Sequence, residues 1–289
     1  MVFRKVKNKV MDYGVLVMFS HTIFSLSFAL ISMLLAGQGK LSFETIFWII
    51  VGFMGARTGA NALNRIIDAE IDAKNPRTAT RQLPQGLMNR KEILVFIVIC
   101  FGIMIFAAYK LNFICLLLSP IALFLMIIYS YTKRFTWLCH VVLGVTSAAA
   151  PVGAWLAVTG KLSLIPLIMG AANVFWVAGF DIIYGAQDYD FDTKNGIHSI
   201  PARFGVKNAL NISKAFHVIA LLCLFTLGLL SNQLGWIYMI GLAIIAVLFV
   251  VQHSMVSADN LKNVKVASYN VNQVISIVFL LSGLIDCLI

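Results

Sequence analysis

The chain has 289 residues, 60% hydrophobic and only 12% charged, with mean hydropathy +0.90 and formal net charge +10. That balance excludes an ordinary soluble domain and places the protein among polytopic helical membrane proteins. The positive charge is spread over short connections, so it reads as topology and anion binding rather than as a nucleic-acid footprint.

Apolar runs long enough for about 30 Å of hydrocarbon occur at 14–37, 43–67, 93–109, 112–131, 137–158, 163–184, 211–231, 234–254 and 269–289. They are long and continuous rather than short and alternating, which predicts helices and not a barrel. The expected fold class is an all-α polytopic membrane protein, a bundle of nine transmembrane helices forming one domain over 1–289. Two pseudo-repeats, about 14–131 and 137–254, are expected within it, followed by a ninth helix. Basic residues precede the first run, but that run is long enough to span and lacks a convincing cleavage site, so it is expected to remain as an anchor. Lys and Arg set the orientation. Eighteen fall at the N-terminus and in the even-numbered connections, against Lys40, Lys110 and Lys161 on the other side. This bias predicts a cytoplasmic N-terminus and an outside C-terminus. Cys100, Cys115, Cys139, Cys223 and Cys287 are scattered singly through apolar runs, with neither metal spacing nor a disulfide framework.

The carboxylates are not scattered. After the second run stands "NALNRIIDAEID", with Asp68, Glu70 and Asp72; around the end of the sixth stand Asp181, Asp188, Asp190 and Asp192. At about 100° per residue, Arg57, Asn61, Asn64, Asp68 and Asp72 share one helical stripe and Glu70 points away. If the sixth helix continues past the membrane edge, Asn173, Asp181, Tyr184, Asp188 and Asp192 share another, and Asp190 points away. Both stripes exit on the same predicted cytoplasmic side.

Polar stripes in lipid are costly unless they face a cavity or each other, and carboxylates one turn apart repel. A divalent cation would offset that repulsion, and all-oxygen ligands favour Mg²⁺ over zinc. The expected metal ligands are Asn64, Asp68, Asp72, Asp188 and Asp192. Mg²⁺ held by few carboxylates usually shares its shell with phosphate. Phosphate partners follow at Lys74, Arg77 and Arg81 in "KNPRTATRQLPQG", at Lys133 and Arg134 in "YSYTKRFT", and at Lys194. An acidic pair of sites, a basic rim and apolar walls together suit a lipid diphosphate.

At these residues the sequence resembles the UbiA-type intramembrane prenyltransferases. The first family motif, N-x-x-x-D-x-x-x-D, stands as "NRIIDAEID", and its R-T-x-x-R-P-L-P-x-G tail as "RTATRQLPQG", with Gln82 in place of the common proline. The second, D-x-x-x-D followed by K-x-G-x-x-S, stands as "DYDFDTKNGIHS", giving Asp188, Asp192, Lys194, Gly196 and Ser199. "YTKRFT" matches the basic segment after the fourth span. The resemblance covers nearly the whole chain. It implies nine helices around a central cavity open laterally to lipid, and Mg²⁺-dependent transfer of a polyprenyl group from its diphosphate to an aromatic acid, a precursor in ubiquinone or menaquinone biosynthesis. The cation left when diphosphate departs would be stabilised by Phe180, Tyr184, Phe175 or Trp176.

Members acting on 4-hydroxybenzoate commonly carry a basic segment in the first span, where this chain has "FSHTIFSLSFAL". Both 4-hydroxybenzoate and a naphthoate therefore stand as acceptors, with His21 the candidate for the acceptor carboxylate. Asp181 lies in an apolar stretch, where an acid is expensive and usually functional. It is expected to orient the acceptor or take its ring proton, or else to hydrogen-bond a neighbouring helix. His140, His217 and His253 belong to no evident constellation and read as structural. No protein partner is inferred. A cation-coupled transporter also carries intramembrane acids, but its ion site would sit nearer the midplane and without a phosphate clamp.

Overall fold

The computed structural model describes Tyr13, Gly14 and residues 23–289. His21 and the N-terminal basic cluster lie outside the described residues. The described chain is helical: α1 Ile23–Gly37, α2 Phe43–Lys74, α3 Arg90–Leu111, α4 Phe113–Thr132, α5 Cys139–Thr159, α6 Leu164–Gly185, α7 Tyr189–Asn195, α8 Ile200–Leu230, α9 Trp236–Ser254 and α10 Val271–Leu288. A 3-10 turn, Ala186–Asp188, joins α6 to α7, and a π-helical turn, Val266–Asn270, leads into α10.

Among the described residues, eight helical segments are long and apolar enough to cross a membrane, and Ser25–Gly37 is a shorter apolar helix. Eight of the nine expected runs thus correspond to these helices, and the first, expected at 14–37, coincides with the shorter helix over its described part. Their outward surfaces carry Val95, Val98, Phe106, Phe124, Leu222 and Val250, all exposed. A protein with so much exposed apolar surface is an integral membrane protein.

Local signals set the helix ends. Ser42 caps α2 by accepting the Thr45 amide at 3.1 Å, and Asn112 caps α4 by accepting the Cys115 amide at 2.9 Å. Asn112 also reaches across to the carbonyls of Leu156 and Ala157 on α5. Close packing relies on small residues, as expected where lipid removes the hydrophobic drive between helices. A Cβ on Gly144 of α5 would stand 2.4 Å from the Val174 carbonyl oxygen of α6. A Cβ on Gly55 of α2 would stand 2.7 Å from the Cys100 carbonyl oxygen of α3.

The helices pack α2 on α3, α3 on α4, α4 on α5, α5 on α6, α6 on α8 and α9 on α10, while α1 lies against α5 and α10. Phe28, Trp176, Phe249 and Phe279 fill a core among α1, α6, α9 and α10. At 32 residues, α2 is about 48 Å long, far more than hydrocarbon requires. Its last turns, carrying Asp68 and Asp72, therefore stand at one end of the bundle, where the residue after them reaches the 3-10 turn.

Candidate active site

The two acidic stretches meet. α2 ends at Lys74, and Asn75 caps it while donating from Nδ2 to Asp188 Oδ1 at 2.9 Å. The stripe on α6 does not run on as one helix. The 3-10 turn interrupts it, so Asp188 sits on a tightened turn and Asp192 on the separate α7. The expected outward positions hold: Glu70 and Asp190 are exposed, whereas Asp68, Asp72 and Asp192 are buried.

Basic side chains offset the repulsion between the carboxylates of each pair. Asp68 accepts from Lys133 Nζ at 2.6 Å and from Arg134 Nη1 at 3.3 Å, and from Asn64 Nδ2 at 2.9 Å. Asp72 takes both its oxygens to Arg81 Nη1 at 2.7 Å. Asp188 accepts a fork from Arg77, Nε at 2.9 Å and Nη2 at 2.6 Å. Burial opposes the charge on Arg77, but its hydrogen bonds to Asp188 and the neighbouring Tyr184 hold its pKa above the ordinary arginine value. Arg77 Nη1 also meets the Tyr184 hydroxyl. The sequence reading gave this compensating role to a metal and reserved Arg77, Arg81 and Lys133 for phosphate. In the structure the same cations neutralise the acids directly, and Arg134 shares Asp68 with Lys133. Among the described residues, no three carboxylate, imidazole or thiol groups converge into a metal cage.

The loop chemistry of the second motif is local. Gly196 ends α7 with φ +67°, a left-handed conformation that suits glycine. Ser199 then caps α8, accepting the Ala202 amide at 3.2 Å and donating to Asp192 Oδ2 at 2.9 Å. Lys194 is exposed and lines, with Lys74, Arg77 and Asp188, an outer pocket of about 500 Å³.

Inside the acidic rim lies a cavity of about 600 Å³ walled by α1 to α6 and the π-helical turn. Its far walls are aliphatic, with Ile49, Leu118, Met126 and Leu156. Its polar end collects Arg57, Asn61, Asn64, Arg81, Asp181 and Tyr184. Arg57, Asn61 and Asn64 of the α2 stripe and Asp181 and Tyr184 of the α6 stripe thus face one space, whereas Asn173 is buried outside it, Asp68, Asp72 and Asp192 are buried beyond its lining, and Asp188 lines the outer pocket. Arg57 is half-buried and its Nε has no hydrogen-bond partner.

Of the proposed cation-stabilising aromatics, Phe180 and Tyr184 line the cavity, whereas Phe175 and Trp176 do not. Phe175 packs edge-on against Phe216, and Trp176 donates to Asn272 Oδ1 at 2.6 Å in the core. Tyr129 and Tyr269, which the sequence reading passed over, line it instead. The three histidines have side-chain partners that their sequence positions do not show. His140 Nδ1 meets Asp181 Oδ2 at 2.7 Å, and His217 pairs with His253 at 2.9 Å while stacking on Phe249. Asn75 was also missed, as was Ser130, whose hydroxyl accepts from Asn64 Nδ2 at 3.5 Å. A polar residue directly after a helix's last turn marks a cap, which is the signal that would have found Asn75.

Comparison with known proteins adds an independent line of observation. The sequence profile of the UbiA prenyltransferase family matches residues 25–276. The 4-hydroxybenzoate octaprenyltransferase of Vibrio atlanticus is 30% identical over 224 residues, 78% of each chain. That of Tolumonas auensis is 32% identical over 77% of each. Among solved structures, the apo UbiA homolog from Aeropyrum pernix K1 superposes with a TM-score of 0.84 at 33% identity, over 93% of this chain and 98% of that one. A homolog from Archaeoglobus fulgidus bound to DMAPP and Mg²⁺, 18% identical, shares the fold with a TM-score of 0.71 over 96% of this chain and 99% of that one. An integral membrane bundle with paired acidic helix ends over a largely apolar cavity, matched by this profile, is an enzyme of a known kind, and the chain belongs to the UbiA prenyltransferase family.

Proposed function

We propose that the protein transfers a polyprenyl group from its diphosphate to an aromatic acid, 4-hydroxybenzoate first among the candidates, as a step toward a quinone. The observation that carries this reading is the cavity: Asp181 and arginines among its polar lining, aliphatic walls along much of the rest, and Arg57 lining it with a buried Nε that has no hydrogen-bond partner. A guanidinium held in an apolar wall is costly and calls for an anion, and a carboxylate is the anion an aromatic acid carries. The names of the bacterial relatives support the same acceptor.

In this reading Asp68, Asp72, Asp188 and Asp192, with Asn64, hold Mg²⁺; their all-oxygen donors on facing elements suit that ion. When bound, the metal stabilises the charge on the departing diphosphate. Arg77, Arg81 and Lys133 exchange their carboxylate partners for phosphate oxygens, and Lys194 completes the rim from the outer pocket. The aliphatic wall holds the prenyl tail and excludes water from the allylic cation. Tyr184 and Phe180 face that cation. Asn61 and Arg57 orient the acceptor, and Asp181 takes the ring proton. The charge bias along the chain supports an active end facing the cytoplasm of the cell membrane.

The test offers purified protein 4-hydroxybenzoate and dihydroxynaphthoates in parallel, each with several polyprenyl diphosphates and Mg²⁺. Prenylated 4-hydroxybenzoate is the expected product. Turnover of a naphthoate alone would reassign the acceptor, and no product with any aromatic acid would overturn the reading.

A further inference from the structure

Asp181 is the one carboxylate among the described residues that line the cavity. It sits on α6 about a turn and a half from the 3-10 turn, set back from the acidic rim, with its side chain 26% exposed. Behind it, at the start of α5, His140 is 6% exposed and does not reach the cavity. Its Nδ1 donates to Asp181 Oδ2 at 2.7 Å, while its Nε2 is buried without a partner.

Space for this imidazole is made on purpose. A Cβ on Gly185 would stand 2.9 Å from His140 Cε1, so only glycine there leaves the ring its place. An acid among spanning helices needs a hydrogen-bonded partner to be tolerated. An imidazole on one oxygen leaves the other free to face the cavity. A second-layer residue that fixes a reacting side chain is a recurring arrangement in catalytic sites.

We propose that His140 is a positioning residue for proton removal: it holds the Asp181 carboxylate so that one oxygen faces the acceptor ring. The inference rests on the prenyl-transfer reading above. In the step it serves, the allylic C–O bond breaks and diphosphate leaves with the electron pair. A ring carbon beside the hydroxyl forms the new C–C bond. The C–H bond at that carbon then breaks, its electrons restore the aromatic ring, and the proton passes to the free oxygen of Asp181. His140 keeps its Nδ1–H on the other oxygen throughout and gains no charge.

The experiment uses the full-length protein with Mg²⁺, a polyprenyl diphosphate and 4-hydroxybenzoate, either unlabelled or deuterated at both carbons beside the hydroxyl. Wild type is expected to show no isotope effect on kcat, because rearomatisation follows a slower ionisation. In His140→Ala, kcat falls about 10²-fold, the scale of a general-base contribution, KM for both substrates holds, and a deuterium effect on kcat appears. His140→Asn places an amide N–H near the position of Nδ1 and regains most of the rate with the isotope effect suppressed. Gly185→Ala, which displaces the ring without removing it, behaves like His140→Ala. A His140→Ala enzyme with unchanged kcat, or one that is slow without any isotope effect, overturns the proposal. Wild-type protein that makes no prenylated 4-hydroxybenzoate overturns the parent reading instead, and the two failures are distinct.

Discussion

Arg77 grips Asp188 through two parallel hydrogen bonds, Nε to Oδ1 at 2.9 Å and Nη2 to Oδ2 at 2.6 Å, across 111 positions of sequence. With Asn75 on the same carboxylate, this contact joins the loop after α2 to the turn after α6. It brings the end of the first acidic stretch against the start of the second. Because the fork is planar and bidentate, lysine does not reproduce it. Arg77→Lys and Arg77→Ala are both expected to lower kcat/KM for the prenyl diphosphate by about 10²-fold or more, measured with acceptor saturating. A fully active Arg77→Lys enzyme would show that the fork is dispensable.

Arg57 tests the acceptor end separately. Arg57→Met keeps much of the apolar stem and removes the guanidinium, so the KM for an aromatic acid is expected to rise at least tenfold, about 1.4 kcal/mol of binding. The KM for the prenyl diphosphate stays unchanged, because the acidic rim is untouched. Equal effects on both substrates would mean that Arg57 supports the fold instead.

Ser199 joins a helix cap to a site acid through one hydroxyl. Ser199→Ala is expected to cost about 1 kcal/mol of stability through the lost cap, read as a lower midpoint of thermal unfolding in detergent. It also releases Asp192, so a weakened apparent affinity for Mg²⁺ is expected alongside. Lost stability with unaltered Mg²⁺ dependence would separate the two roles.

Gly144 lies where α5 and α6 come closest, and any Cβ there meets the Val174 backbone carbonyl at 2.4 Å. Backbone cannot step aside as a side chain can, so Gly144→Val is expected to destabilise by roughly 1–3 kcal/mol, the usual cost of overpacking. His140 and Asp181 sit on these same two helices, so activity falls with stability. A Gly144→Val protein with wild-type unfolding and turnover would contradict the packing described.

The helices were legible because continuous apolar runs admit few other structures in lipid. The acids were legible because helical phase separates Asp68 and Asp72 from Glu70 whatever the neighbours are. The interruption at Ala186–Asp188 was not: nothing in "YGAQDYDFD" forbids a continuous helix, and the turn is fixed by contacts from Asn75 and Arg77 far away in sequence. Nor was the pairing of cations with acids, since position alone does not distinguish a topogenic arginine from a partnered one. His140 escaped for the same reason. Its partner lies on the next helix, 41 residues on, and a lone histidine in an apolar run carries no local signal. Phe175 and Trp176 show the converse error, in which residues near a stripe in sequence face the core around it. The transporter alternative falls with membership in a prenyltransferase family.

The proposal is that the two acidic helix ends form one site for a prenyl diphosphate. It is tested most directly by Asp68→Ala and Asp188→Ala in membranes supplied with Mg²⁺, labelled prenyl diphosphate and 4-hydroxybenzoate. The account predicts that either substitution alone abolishes labelled product, because each removes half of the site. Unchanged product from either variant would contradict it.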